Sequence, residues 1–219
     1  QGHSISFPIP TPIYHITHLQ NLEGIIQAGG FQAKNLLSTG AVSVAYKHIQ
    51  ERRSHQAVPV PPHGVLHDYV PFYFCPRSPM LYAIHNPGPN MHYQGGQKQI
   101  LHLTSNVEAV SQATLHFVVT DRHAVLDYAE FFESADAIPN LCWDHITATT
   151  WKNTPSCPDR KERKQAEFLV HQFMPWNLFT EIGVINQHIK NEVQRVLHAT
   201  SKNSPGPKPT VTVHRDWYY

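Results

Sequence analysis

Three groups of residues have types and spacings suited to chemistry. The first is His15-Ile16-Thr17-His18. On a strand, His15 and Thr17 alternate onto one face, where an imidazole and a hydroxyl can grip one ligand together. A second His-x-Thr stands at His102-Leu103-Thr104. The third group centres on Glu167, in the alternating run Ala166-Glu167-Phe168-Leu169-Val170-His171-Gln172-Phe173, which follows the charged stretch Lys161-Glu162-Arg163-Lys164. Alternation predicts Glu167, Leu169, His171 and Phe173 on one face, with Ala166, Phe168 and Val170 on the other. A carboxylate among Leu and Phe costs free energy unless it is paired, exposed or used. Glu167 is thus either a solvated strand end or a catalytic carboxylate on a cleft floor, with the basic loop above it holding a substrate. Arg52 and Arg53 close a helical stretch, where cations suit the macrodipole. Arg53 can instead reach into a cleft and hold a phosphate or a base edge through its planar fork.

The elements that must position these groups follow from pattern. Pro8 to Pro12 is a stiff lead-in to a strand over Ile13–Thr17. Leu19, Leu22, Ile25 and Ile26 recur at helical spacing, and Gly29-Gly30 closes that helix. A second helix is expected from Ser43 to about Arg53. A strand rich in aromatics covers Tyr69–Cys75, with Tyr73 placed to face a cleft, and Ser78-Pro79 is a capped helix start. Strands follow at Gln99–Thr104 and Leu115–Thr120. Between them, Ser105 and Glu108 have the spacing of a capping box for a short helix through Ala113. Asp121-Arg122-His123 reads as a strand-to-helix turn. Residues 133–164 are less periodic. A strand near Ile182–Ile185, a helix near Gln187–His198, a linker over Ser201–Pro209 and a strand over Thr210–Arg215 complete the chain. Six or seven strands among short helices, without a βαβ repeat, define an α+β class, and no domain boundary divides residues 1–219. Gln1-Gly2-His3 reads as a processed end and is left out of the fold reasoning.

Composition narrows the chemistry. A formal charge of +1 over 219 residues argues against nucleic-acid binding by bulk charge, though not against a local basic patch. Seventeen scattered histidines offer uncharged hydrogen-bonding groups. Cys75, Cys142 and Cys157 form no CxxC pair, which fits a reducing, cytoplasmic setting. No apolar run has the length of a membrane span. His15 with His18 offers a conceivable zinc pair, but HExxH and finger spacings are absent, so no metal is expected. Phosphate-binding glycine loops are absent too, so a nucleotide would have to be held in another way.

Two resemblances organise these residues. The paired tripeptides His15–Thr17 and His102–Thr104 resemble the 2H phosphoesterase signature, in which two histidines serve as acid and base on a cyclic phosphate. That reading leaves Glu167, Arg53 and the basic loop without a role; a plain single-strand binding module, which would bind tightly without turnover, is a further, non-enzymatic reading. The second resemblance spans nearly the whole chain. It runs from Pro12-Ile13-Tyr14-His15-Ile16-Thr17-His18 through His48-Ile49-Gln50-Glu51-Arg52-Arg53, residues 64–84, Tyr93-Gln94-Gly95-Gly96-Gln97, Thr120-Asp121-Arg122-His123 and Lys164-Gln165-Ala166-Glu167-Phe168-Leu169-Val170 to Arg215-Asp216-Trp217-Tyr218-Tyr219. In these segments the chain resembles the DarT-type DNA ADP-ribosyltransferases, and within them the thymidine-modifying branch. The resemblance implies an ADP-ribosyltransferase fold, two small split sheets forming an NAD cleft. It implies NAD as co-substrate, single-stranded DNA as acceptor and a DarG-like macrodomain antitoxin as partner. By the same resemblance, Glu167, Arg53 and His123 are catalytic, and His15, Thr17, Gly24 and Arg53 bind NAD. Residues 133–164 become the loop that reads the target, and His102 becomes incidental.

Overall fold

The computed structural model describes residues 7–37, 40–200 and 208–219; the expected processed end and most of the expected linker over Ser201–Pro209 lie outside them. Ten strands are present among the described residues, more than the six or seven expected, because several are too short to show alternation. The strands are β1 (Pro12–His18), β2 (Gly30–Gln32), β3 (Tyr69–Tyr73), β4 (Ile100–Asn106), β5 (Phe117–Thr120), β6 (Phe131–Phe132), β7 (Glu167–His171), β8 (Phe173–Pro175), β9 (Glu181–Val184) and β10 (Thr210–Val213). The helices are α1 (Leu22–Gln27), α2 (Lys47–His55), α3 (Pro79–His85), α4 (Val107–Gln112), α5 (Trp143–Ile146), α6 (Arg160–Arg163) and α7 (Gln187–Thr200).

Eight strands join in the order β10-β9-β4-β1-β3-β7-β5-β6, and β2 pairs with β8 in a small second sheet. The large sheet is nearly divided in two. Along β1 and β4 seven residue pairs run from Pro12↔Asn106 to His18↔Ile100, whereas β1 and β3 meet only at Tyr14↔Tyr73. Beyond that point the strands part. The expected split is therefore a fork within one sheet.

The two faces are covered differently. One carries a continuous core in which Leu101, Leu103, Phe72, Phe168 and Val170 meet α1, α4 and α7. From α7, Ile189, Val193 and Leu197 supply a stripe at i, i+4, i+8, each side chain contributing roughly 1.5–3 kcal/mol on burial. The other face carries two separate cores. Ile16, Leu81, Ile84, Ile100 and Tyr218 form one beside β1 and β4, and Leu66, Tyr69, Val118, Val125 and Leu169 form the other beside β3, β5 and β7. A gap left between two cores over a forked sheet is a cleft.

Local details differ from the sequence reading for identifiable reasons. Ser105 does not cap α4: it lies in β4, and its hydroxyl donates to the Leu178 carbonyl at 2.6 Å. Asn106 caps instead, accepting from Ala109 N at 2.8 Å, while Glu108 accepts from Thr11 N at 2.9 Å. No helix follows Asp121-Arg122-His123; that segment turns toward β6. Phe173 does not share the Glu167 face, because Gln172 takes φ 62° and the chain passes into the second sheet, where Phe173 pairs with Gln32. The Ser78-Pro79 start is as expected, with Ser78 Oγ accepting from Leu81 N at 3.1 Å. Gly29 ends α1 region at φ +75°, a conformation that glycine adopts without steric penalty.

Candidate active site

Glu167 opens β7 and is 1% exposed. It stands opposite Tyr73, which stands opposite Tyr14, so all three point into the gap between the two cores. Arg53 is the one buried residue of α2, a helix with almost no apolar face, and its Nη1 donates to both carboxylate oxygens at 3.1 and 3.0 Å. Polar groups hold this helix in place: Arg52 Nη2 donates to the Val125 carbonyl at 2.6 Å, and His67 Nε2 lies 3.0 Å from Gln50 Oε1. Ala124 N donates to Glu167 Oε1 at 3.1 Å, and His123 Nδ1 lies 3.2 Å from the same oxygen. Thr120 Oγ1 accepts from Glu167 N at 3.0 Å and donates to the Arg122 carbonyl at 2.7 Å, tying the carboxylate strand to the turn that carries His123.

This environment fixes the charge state. Burial pushes the Glu167 carboxyl upward, but the Arg53 charge, the His123 contact and the Ala124 amide more than offset it and hold the pKa at about 2. His15 is its counterpart. Burial lowers its pKa, opposed by the Pro71 carbonyl 2.6 Å from Nδ1 and aided by Arg53, to about 4, so the ring is neutral near pH 7. The Tyr73 hydroxyl donates to Met80 Sδ at 3.9 Å, and its pKa is raised by burial and by Glu167.

Two cavities meet at this pair. One, of about 370 Å³, is lined by Glu167, Arg53, His123, Tyr73, Met80 and Lys161 among others. The second, of about 140 Å³, is lined by His15, Thr17, Asn21, Phe31, Gln50 and Arg53 among others. His15, Ile16, Gln50, Arg53 and Pro71 belong to both walls. The fork between β1 and β3 explains how His15, on the continuous-core face, lines a cavity with Glu167 from the opposite face. Gly24 is not in either cavity. It lines a further recess with Asn21, Phe31 and Gln32, residues that also line the second cavity. Thr17 Oγ1 accepts from Asn21 Nδ2 at 3.2 Å, and that amide also donates to the Val42 carbonyl at 2.9 Å, which fixes a wall of the second cavity.

Glu167, Arg53 and His123 thus meet directly, and His15 and Thr17 line the adjoining second cavity. The phosphoesterase pairing does not form. His15 pairs with Leu103 and Ile16 with His102, so the two histidines project from opposite faces of adjacent strands. His102 is fully buried, with Nε2 2.9 Å from the Pro76 carbonyl, and no single phosphate can reach both rings. The same alternation separates His15 from His18. Among the described residues no group of three or more His, Cys, Asp or Glu is placed to hold a metal ion. The basic stretch divides in role. Lys161 lines the cleft, whereas Lys164 is 2% exposed and donates to the carbonyls of Ile146 and Ala148, both at 2.8 Å, bracing the 143–151 loop from within. Sequence reasoning missed Thr120, Gln50 and Gln165 as members of the site. Thr120 at the end of a strand gave no signal, since its role depends on which strand lies beside it.

An anionic carboxylate in a forked sheet, paired with arginine at the junction of two cavities, suits a reaction in which positive charge develops on a bound sugar. That defines a glycosyl-transferring class of site. Residues 14–219 match the family model described as "ssDNA thymidine ADP-ribosyltransferase, DarT", and the chain belongs to this family. It is 50% identical over 215 residues to a DNA ADP-ribosyl transferase of Thermus sp. (strain 2.9), covering 98% of this chain and 99% of that one. Its fold matches the structure of Thermus sp. 2.9 DarT in complex with ADP-ribosylated ssDNA at a TM-score of 0.91 and 49% identity, over 98% of this chain and 99% of that chain. The same protein in complex with NAD+ matches at 0.87 and 46%, over 98% and 100%. The chain is thus a DNA ADP-ribosyltransferase of the DarT family, with the ADP-ribosyltransferase fold.

Proposed function

We propose that this chain cleaves the nicotinamide–ribose bond of NAD and joins the ADP-ribose to a ring nitrogen of thymine in single-stranded DNA. The observation that carries this reading is the buried Glu167 held by Arg53 where the two cavities share a wall. The run of cavities from Glu167 past His15 and Thr17 toward Gly24 suits an elongated dinucleotide, with its reacting sugar at the carboxylate end. Neutral His15, its Nδ1 engaged at Pro71, keeps Nε2 for the ligand. Arg53 Nη2 is buried without a hydrogen-bond partner among the described residues, a donor left for a phosphate or a thymine carbonyl.

In the reaction the bond between ribose C1′ and the nicotinamide nitrogen breaks, and its electron pair leaves with nicotinamide. Glu167 accepts a hydrogen bond from a ribose hydroxyl and stabilises the positive charge that develops on the sugar. A thymine ring nitrogen then bonds to C1′, and Glu167 takes its proton. Arg53 can keep Nη1 on the carboxylate while Nη2 meets the base, so both groups act at one point. His123, with Nδ1 3.2 Å from Glu167 Oε1, orients the carboxylate. Base pairing occupies the thymine nitrogen in a duplex, which favours single-stranded substrate.

Residues 1–219 act as one domain in this reading. As in the resemblance to DarT, the enzyme is a toxin countered by a DarG-like macrodomain antitoxin, and it acts on DNA in the cytoplasm. No helix among the described residues is long and apolar enough to cross a membrane. The test is to incubate the protein with a thymine-containing single-stranded oligonucleotide, with and without NAD. A mass gain of one ADP-ribose only with NAD is expected; no gain on any single-stranded oligonucleotide overturns the proposal.

A further inference from the structure

Beside the cleft lies an aromatic ledge that the chemistry at Glu167 does not use. Tyr82 on α3 is 43% exposed, although Pro79, Met80 and Ala83 of the same helix line the catalytic cavity. Its ring meets Trp151 at 5.4 Å and Tyr219 at 5.0 Å between centroids, both edge to face. Trp151 Nε1 donates to the Tyr219 hydroxyl at 2.9 Å, and that hydroxyl lies 3.1 Å from the Arg77 carbonyl and 3.2 Å from the Ser78 carbonyl. The Tyr219 backbone is in turn bonded to the Gln97 side chain through both its N–H and its carbonyl. Three remote segments, α3, the 143–151 loop and the C-terminal turn, thus converge to hold one exposed ring. Cations attend the two rings behind it: Arg77 lies 4.5 Å over the Tyr219 ring, and Lys161 stands 5.9 Å from the Trp151 ring while also lining the cavity of Glu167.

A fixed aromatic surface that shares Lys161 with the catalytic cavity has the chemistry of single-strand recognition: stacking for a base, positive charge for the phosphate beside it. It needs little net charge, in keeping with a chain at +1. We propose that Tyr82, backed by Trp151 and Tyr219, stacks the nucleotide base next to the target thymine, with Lys161 engaging the phosphate between them. Tyr82 is then a specificity-determining residue and Tyr219 a positioning residue. This inference rests on the DNA-transferase reading above.

The test couples the ring to the base. An oligonucleotide series with an abasic analogue at each position flanking the target is assayed with the parent chain, Tyr82→Ala, Tyr82→Phe and Tyr219→Phe, and NAD affinity is titrated directly. With the parent, one flanking abasic position should raise the KM for DNA about tenfold, the scale of one base–aromatic stack. Tyr82→Ala should show the same rise on intact DNA and no further rise at that position. Tyr82→Phe should behave as the parent, and NAD affinity should be unchanged throughout. Tyr219→Phe should raise the KM without abolishing the abasic effect. Additive effects of Tyr82→Ala and the abasic position, or a parent KM in Tyr82→Ala, overturn the ledge. A matching loss of NAD affinity in Tyr82→Ala also overturns it, since the ring is then structural. Absence of any transfer by the parent chain overturns the underlying transferase reading instead.

Discussion

Replacing Glu167 with glutamine keeps the shape of the side chain and removes the charge that faces Arg53. The consequence can be sized in two independent ways. Arg53 is 7% exposed and Glu167 1% exposed, so the variant leaves a guanidinium uncompensated in the interior, a change that costs about 3–5 kcal/mol. From the proton side, a carboxyl held at about 2 rather than its ordinary 4.5 corresponds to about 3 kcal/mol of interaction with the ionised form. Both point to a drop in Tm of roughly 6–20 °C for a chain of this size. The pH dependence has a definite sign. Because the folded-state pKa is depressed, the contribution is complete above pH 4.5 and is lost as pH falls toward 2. Scanning calorimetry of parent and Glu167→Gln from pH 7 to pH 2 should show a gap that is constant above pH 5 and narrows below it. A variant as stable as the parent, or more stable, would mean that burying the pair costs more than its attraction returns, and the reasoning would fail.

Other consequences are smaller in scope. His102, fully buried with its pKa lowered by burial, partly restored by the Pro76 carbonyl and lowered by His214, to about 4, should make stability fall as pH drops from 6.5 to 4, since the unfolded chain binds the proton first; by up to about 3 kcal/mol, read from denaturant unfolding, with a shallower slope in His102→Gln. Thr120→Val leaves the Glu167 N–H without its acceptor, for about 1–3 kcal/mol, and should lower kcat for transfer, with Thr120→Ser restoring it; an unchanged kcat in the valine variant would refute the positioning role. Lys164→Met removes the donor shared by the Ile146 and Ala148 carbonyls and should speed amide exchange across residues 143–151 while leaving α7 protected.

What was legible in the sequence was mainly what local pattern controls. The alternation of β1 and β7, the Ser78-Pro79 helix start and the helix near Gln187–His198 each express a local signal that tertiary contacts reinforce. The catalytic candidates were legible through the family resemblance; alternation alone favoured reading Glu167 as a solvated strand end. Contacts between distant segments were hidden. Ser105 and Glu108 have capping-box spacing, but Leu178 and Thr11 claim their polar groups, and Asn106 caps the helix instead. The two His-x-Thr tripeptides look alike as text, and only the register Ile16↔His102 sets their histidines on opposite faces. Lys164 reads as one more basic loop residue until the carbonyls that bury it are seen. Arg53 buries itself on a helix with no apolar stripe to announce which side faces inward.

The most direct measurement compares the parent chain with Glu167→Ala on one thymine-containing single-stranded oligonucleotide plus NAD, read by mass spectrometry, with far-UV circular dichroism recorded on both proteins. A mass gain of one ADP-ribose with the parent and none with Glu167→Ala, the two spectra coinciding, is the expected result. A folded Glu167→Ala that transfers ADP-ribose at the parent rate would contradict the central claim.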